Sequence, residues 1–365
     1  MAGGSRVAVI LAVVVVATAW ASNPVIGILS QSDPPYIAAS YVKYLESAGA
    51  RVVPVLHNDT ADRHAQLFSQ LNGFLIPGGG ANLANFSDDF MVSARYFVNQ
   101  AIQANTGGDF FPVWGTCLGF ETLSVIIADD PAVLVDGYDS EDLPLALNMT
   151  RNAGTSRLFG QLPGSVYDSL QTENVTMNFH QSGVEPSTFV SNDKLNSFFN
   201  ILSTNVDLQG KPFVSSMEGK TMPVYGVQWH PEKNTYEWGS TQANPHSAAA
   251  VDVAYHMARF FVNEARKNNH VYPADALDKP LAGLTMRPAA SSINRQRQPV
   301  KPTCCAKVNL TAIQSTSKTK ARFHPLLPFP MFMKRYPSPK TVKHREESDR
   351  KRECEGEGEG ESLRV

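Results

Sequence analysis

The chain has 365 residues, a hydrophobic fraction of 42% and a formal net charge of −2. That composition supports a packed core and excludes a wholly disordered chain, and the near-neutral balance excludes a general attraction to nucleic acid or to an anionic membrane. The length suits one large α/β domain with appendages.

Residues 1–21 read as a signal peptide. Arg6 is the charged flank, Val7 to Val16 form a short apolar run, and Ala19-Trp20-Ala21 puts small residues where a signal peptidase cuts. The run is too short to span a bilayer, so no membrane contact is expected after cleavage. The Asn-x-Ser/Thr sequons at Asn58, Asn85, Asn148, Asn174 and Asn309 fit an exported, glycosylated chain. Of the cysteines Cys117, Cys304, Cys305 and Cys354, only Cys117 precedes residue 300, which is not the pattern of a disulfide framework.

The body of the chain, residues 22–270, alternates apolar runs with helical patterns. Strands are expected at Val25–Leu29, Arg51–Leu56, Gly73–Ile76 and Phe111–Trp114, with helices at Tyr41–Ala48, Ala61–Leu71 and Asp88–Gln103 between them. A helix from Leu118 to Ala128 follows. The stretch from Pro131 to Asn200 is expected to be an irregular mixture. Phe213–Met217 and Val224–Gln228 read as strands around a turn, and His246–Lys267 as a long amphipathic helix. This order predicts an α/β fold with a mostly parallel sheet covered on both faces and functional loops at its carboxyl edge. Residues 271–365 are polar, basic or repetitive and are expected to be an atypical, mostly disordered tail.

Three motifs carry chemistry. Trp114-Gly115-Thr116-Cys117-Leu118-Gly119 puts a cysteine on a tight strand-to-helix turn. Glycines on both sides let strand and helix close around it, the helix N-terminus is expected to favour thiolate, and the Leu118 N–H can face a developing oxyanion. Pro77-Gly78-Gly79-Gly80 ends another strand, where Gly78 or Gly79 can offer a second oxyanion donor. Gln228-Trp229-His230-Pro231-Glu232 supplies a base, His230, with Glu232 to orient it. No His/Cys/Asp cluster has metal-ligand spacing, so neither metal nor cofactor is expected. Lys220 and Lys233 are candidate contacts for an anionic substrate, by closeness to the His230 strand.

In this order and spacing the three motifs, with Phe179-His180 between them, make residues 23–269 resemble the γ-glutamyl hydrolase family of the class I glutamine amidotransferase-like superfamily (peptidase family C26-like). The resemblance implies a three-layer α/β/α fold, a Cys117-His230-Glu232 arrangement, hydrolysis of folate poly-γ-glutamate tails, a lysosomal and secreted location and a homodimer. It also implies that His180 contacts substrate, a role the residues alone did not indicate. The tail departs from the ordered ending of that family. Two other functions use the same motifs: a glutaminase that releases ammonia for a synthase partner, and a non-catalytic secreted binding protein. Export and the intact Cys-His-Glu set argue against them in turn.

Overall fold

The computed structural model describes residues 23–32 and 35–274, together with the backbone of two later strands. The first strands form where expected: β1 (Val25–Leu29), β3 (Arg51–Val55) and β4 (Gly73–Ile76). An additional short strand, β2 (Tyr36–Ala38), leads straight into α1 (Ala39–Ser47). Helix α2 (Ala61–Phe68) starts at Thr60, whose side chain accepts the Arg63 N–H, and α3 (Asp89–Thr106) starts at Asp88, whose carboxylate accepts the Phe90 N–H. Strand β5 runs Val113–Thr116, two residues later than the sequence suggested, and α4 covers Leu118–Ala128.

The region expected to be irregular is ordered instead. It holds a long antiparallel hairpin, β6 (Val135–Leu145) with β8 (Thr176–Gly183), around β7 (Asn148–Met149) and α5 (Gly164–Thr172). Then follow α6 (Pro186–Ser191), α7 (Asp193–Phe198), β9 (Phe199–Val206), β10 (Pro212–Gly219), β11 (Val224–Val227), α8 (Lys233–Tyr236) and α9 (Ala248–Ala265). β6 escaped recognition because half-buried and exposed residues follow no two-residue alternation along it, and its pairing with β8 shifts register twice.

The central sheet has eight strands in the order β3-β1-β4-β5-β11-β10-β9-β7. The pairings from β3 to β11 are parallel and the rest antiparallel. Alternate residues feed two cores. Phe74, Ile76 and Val113 face α3 and α4, among Phe90, Phe97, Phe120 and Leu123. Leu75, Trp114 and Tyr225 face α1 and α9, among Tyr44, Leu45, Ala258 and Phe261. The result is the expected three-layer α/β/α arrangement.

The ordered body closes at Asn268 and His270, where Asn72 Nδ2 donates to Asn268 Oδ1 at 3.0 Å and to the His270 carbonyl at 2.8 Å. In the expected tail, β12 (Met286–Pro288) and β13 (Ala306–Asn309) pair antiparallel with each other, and β13 pairs with β2. The remainder of that tail, the expected signal peptide and the Asn309 side chain lie outside the described residues. Among the described residues no helix is long and apolar enough to cross a membrane.

Candidate active site

Strands β4, β5 and β11 are neighbours, with Ile76 opposite Gly115 and Thr116 opposite Val227. Their carboxyl ends therefore bring the three motifs, distant in sequence, to one point. Cys117 sits between β5 and α4 at φ 52 and ψ −110, a backbone conformation that a non-glycine residue adopts only under constraint. The constraint is visible. Its N–H donates to the Val227 carbonyl at 2.8 Å, and its carbonyl accepts the Glu121 N–H that opens α4. Gly119 lies so close to β4 that a Cβ there would meet the Ile76 carbonyl oxygen at 2.0 Å.

His230 lies three residues beyond the end of β11, not on the strand itself. Its own N–H is anchored to the Met177 carbonyl at 2.8 Å, the preceding Trp229 donates its indole N–H to Ser216 Oγ at 3.2 Å, and the Gln228 N–H donates to the Ser215 carbonyl. Glu232 is 1% exposed, and its Oε1 lies 2.7 Å from His230 Nδ1. A carboxylate accepts, so Nδ1 carries the proton and Nε2 is left as the basic nitrogen.

Gly78 fills the space between the nucleophile and the base. A Cβ at Gly78 would lie 2.7 Å from His230 Cε1 and 3.3 Å from Cys117 Cβ. Both side chains thus lie against the same glycine, which brings nucleophile and base to one place. The thiol itself donates to the Phe179 carbonyl at 3.6 Å.

Two expectations need correction. The Gly78 N–H is already engaged, donating to Tyr41 Oη at 2.8 Å, so it does not point into the site as an oxyanion donor. The Leu118 N–H faces the Cys117 sulfur, and Gly79 lines the cleft beside it. The second correction concerns the thiol. Burial, followed by the nearby Glu121 carboxylate, pushes the Cys117 thiol well above its ordinary value, against the opposing pull of the Leu118 N–H and Lys233. The helix N-terminus does not win, because Cys117 is only 5% exposed. Burial thus favours the protonated thiol over the thiolate at Cys117.

This yields a direct expectation. Peptide-resolved alkylation of Cys117 by iodoacetamide should rise only on the alkaline side, with a midpoint above the ~8.5 of a free thiol. Glu121→Gln removes a neighbouring negative charge and should move that midpoint down. An unchanged midpoint would show that Glu121 does not act on the sulfur.

Beside Cys117 opens a cleft of about 570 Å³, lined by Gly79, Leu118, Glu121, Asp136, Glu141 and His180 among others. His180 Nδ1 lies 2.8 Å from the Ser182 carbonyl, and its ring packs edge-on against Phe213. Burial holds its pKa down at about 4, so it is neutral above that pH. Of the two lysines, Lys233 is near the site, with Nζ 5.5 Å from the Phe179 ring centre, whereas the Lys220 ammonium is turned to the Asn196 carbonyl at α7. Among the described residues, no group of three or more His, Cys, Asp or Glu side chains could hold a metal ion. The side chains of Asn58, Asn85, Asn148 and Asn174 are exposed, as glycosylation requires.

Tyr41 and Glu121 were missed from the sequence. Tyr41 belongs to a helix whose other buried residues include Tyr44 and Leu45, and nothing local sets it apart. Glu121 did leave a signal: it is the one charged residue in Leu118–Ala128, a helix otherwise apolar or hydroxyl-bearing and almost wholly buried.

The family model for peptidase C26 matches residues 13–232, more than half of the chain. The human γ-glutamyl hydrolase is 47% identical over 266 residues, covering 70% of this chain and 82% of its own length. The mouse γ-glutamyl hydrolase is 46% identical and covers 68% and 79%. γ-Glutamyl hydrolase B of Dictyostelium discoideum is 40% identical and covers 69% and 74%. Among solved structures, a glutamine amidotransferase from Thermotoga maritima aligns over 58% of this chain and 77% of its own, with 10% identity and a TM-score of 0.36, which adds nothing to the topology described above.

Proposed function

The chain belongs to the peptidase C26 family and is a hydrolase of γ-glutamyl bonds, and from that premise we propose that it shortens folate poly-γ-glutamates through a thioester on Cys117. The observation that carries this reading is the meeting of Cys117 and His230 at Gly78, with Glu232 bonded to the imidazole.

In the first step His230 Nε2 takes the thiol proton as sulfur attacks the γ-carbonyl carbon. The oxyanion that forms is held by the N–H groups of Leu118 and Gly79. As the intermediate collapses, the C–N bond breaks and His230 returns the proton to the departing α-nitrogen. A water molecule, deprotonated by the same imidazole, then cleaves the γ-glutamyl thioester and frees the γ-carboxylate and the thiol. Glu232 compensates the imidazolium at each stage, and no proton has to leave the site between the two halves.

Tyr41 holds this machinery in register, because its Oη accepts the Gly78 N–H and lies 3.3 Å from His230 Nδ1. Tyr41→Phe strips a partner from a buried N–H beside the oxyanion loop, a loss of about 1–2 kcal/mol. The expected outcome is a fall in kcat of about tenfold with KM within about twofold, measured on a pteroyl-poly-γ-glutamate.

The substrate reading is tested by comparing pteroyl-penta-γ-glutamate with free glutamine as substrates of the purified protein. Release of glutamate or γ-glutamyl peptides from the first, with no ammonia from the second, supports it. Ammonia release from glutamine alone would favour a glutaminase. The apolar run before Ala21 and the exposed sequon asparagines support export, glycosylation and a lysosomal or secreted location. A homodimer is part of the same reading, and light scattering of the purified protein tests it.

A further inference from the structure

Gln31 follows β1 at the carboxyl edge of the sheet, and no step of the reaction above uses it. Its backbone is fixed, because its N–H donates to the Tyr36 carbonyl at 2.9 Å and its carbonyl accepts the Tyr36 N–H at 3.3 Å. Strand β1 lies beside β4, with Ile28 opposite Leu75, so the residues that follow the two strands come together. They meet at Gly79. A Cβ there would lie 2.2 Å from both Cδ and Oε1 of Gln31 and 2.6 Å from its Nε2. The carboxamide of Gln31 thus already fills the space that a side chain at position 79 would take. Room is what calls for glycine here, since the backbone at Gly79 is not at positive φ.

The carboxamide is confined. Gln31 is 3% exposed, so its side chain has no solvent to swing into. Its Nε2 is buried with no hydrogen-bond partner among the described residues. A buried donor left unpaired lowers stability, and an apolar side chain of the same length would fill the space without that cost. Glutamine at this position therefore answers a need that packing alone does not set.

The need lies in the loop. Gly79 lines the cleft beside Cys117, and successive glycines leave peptide groups that turn with little resistance. A donor serves a developing oxyanion only if it is already oriented when the charge appears. The loop is held from two directions. Tyr41 Oη accepts the Gly78 N–H at 2.8 Å, and the Gln31 carboxamide stands against Gly79.

We propose that Gln31 is a positioning residue of this loop: its carboxamide packs on Gly79 and keeps the Gly79 N–H turned to the oxyanion that forms when Cys117 attacks. The inference rests on the hydrolase reading above. Gln31 acts through Gly79, and no proton or electron pair passes through it. The oxyanion exists only along the reaction path, so loss of the contact lowers kcat and leaves KM nearly unchanged.

The test measures Gln31→Ala, Gly79→Ala and the double variant on pteroyl-penta-γ-glutamate. Gln31→Ala empties the space, and Gly79→Ala drives the carboxamide out of it, so each removes the same contact. Each single variant is expected to lower kcat about tenfold with KM within about twofold, and the double variant should lie within about twofold of either. Losses that multiply to about a hundredfold in the double variant show two independent effects and overturn the inference. Gln31→Met keeps the length of the side chain without its N–H groups. It should leave the urea midpoint at or above that of wild type while kcat falls about threefold or more, a split that a packing role would not produce. Wild-type kcat in Gln31→Met, or a kcat that falls only together with the urea midpoint, also overturns it, and this variant decides the matter if the others do not fold. If wild-type protein cleaves the polyglutamate and the Gln31 variants match it, only this inference fails. If wild-type protein does not cleave it, the hydrolase reading fails as well.

Discussion

Cys117→Ala is expected to lower γ-glutamyl hydrolysis to background, a loss on the order of 10⁴-fold or more, while the protein still folds. Every other group at the site acts on this sulfur or on what it forms. His230 has no proton to take, and the Leu118 and Gly79 N–H groups have no covalent intermediate to hold. The residual rate would come from substrate held beside a water molecule alone. Folding should persist because the side chain lost is small, and the φ of 52 is imposed by the backbone bond to Val227 and by the packing of Gly119 on Ile76. Cys117→Gly extends the argument. Glycine tolerates this backbone region without the penalty alanine meets, so Cys117→Gly should be about 1 kcal/mol more stable than Cys117→Ala and equally inactive. Steady-state kinetics and urea midpoints of the two variants check both statements. Equal stability would mean that the turn is not strained.

Gly119→Ala is expected to be the most damaging single methyl group that can be added near the site. The new Cβ would lie 2.0 Å from the Ile76 oxygen and 2.8 Å from its carbonyl carbon, both backbone atoms of a central strand. Neither can rotate away as a side chain would. Either α4 lifts off the sheet or β4 moves, and both disturb the core that Phe74, Ile76, Leu118, Phe120 and Leu123 share. We expect a loss of about 3 kcal/mol or more, a large part of the 5–15 kcal/mol typical of a folded domain. In urea this should lower the midpoint by about 1 M or more. Any protein that does fold should be inactive, because Leu118 and Cys117 move with the helix. A midpoint within a few tenths of wild type would mean that strand and helix do not approach as closely as described.

The parallel half of the fold was legible because each strand is a short apolar run bounded by turn residues, and each helix shows its own period. β5 was placed two residues early for a physical reason. Phe111 looks like the start of a strand, but Pro112 has no N–H to give a ladder, while Gly115 and Thr116 look like turn residues yet pair with Gly226 and Val227. The hairpin of β6 and β8 was not legible at all. Its partners lie tens of residues apart, and its irregular pairing erases the alternation that marks a strand.

The same division runs through the site. Cys117, His230 and Glu232 could be read because their chemistry is local: an elbow, a strand end, and a carboxylate two residues from an imidazole. The direction of the Gly78 N–H could not, because it is set by a hydroxyl from α1. Nor could the state of the Cys117 sulfur, where the field of a helix N-terminus competes with burial that only the folded chain creates. Glu121 could have been read, since a single acid in an otherwise uncharged helix asks for an explanation.

The proposed chemistry stands on a bond between Cys117 sulfur and the glutamyl γ-carbon. Wild-type protein in excess over pteroyl-di-γ-glutamate can be quenched in acid at intervals during the first turnover and its peptides weighed. The peptide bearing Cys117 should gain the mass of the acyl portion and then lose it as product appears, and hydroxylamine should strip the adduct. A first turnover that completes with Cys117 unmodified throughout, or with the acyl group on a different residue, would contradict the mechanism.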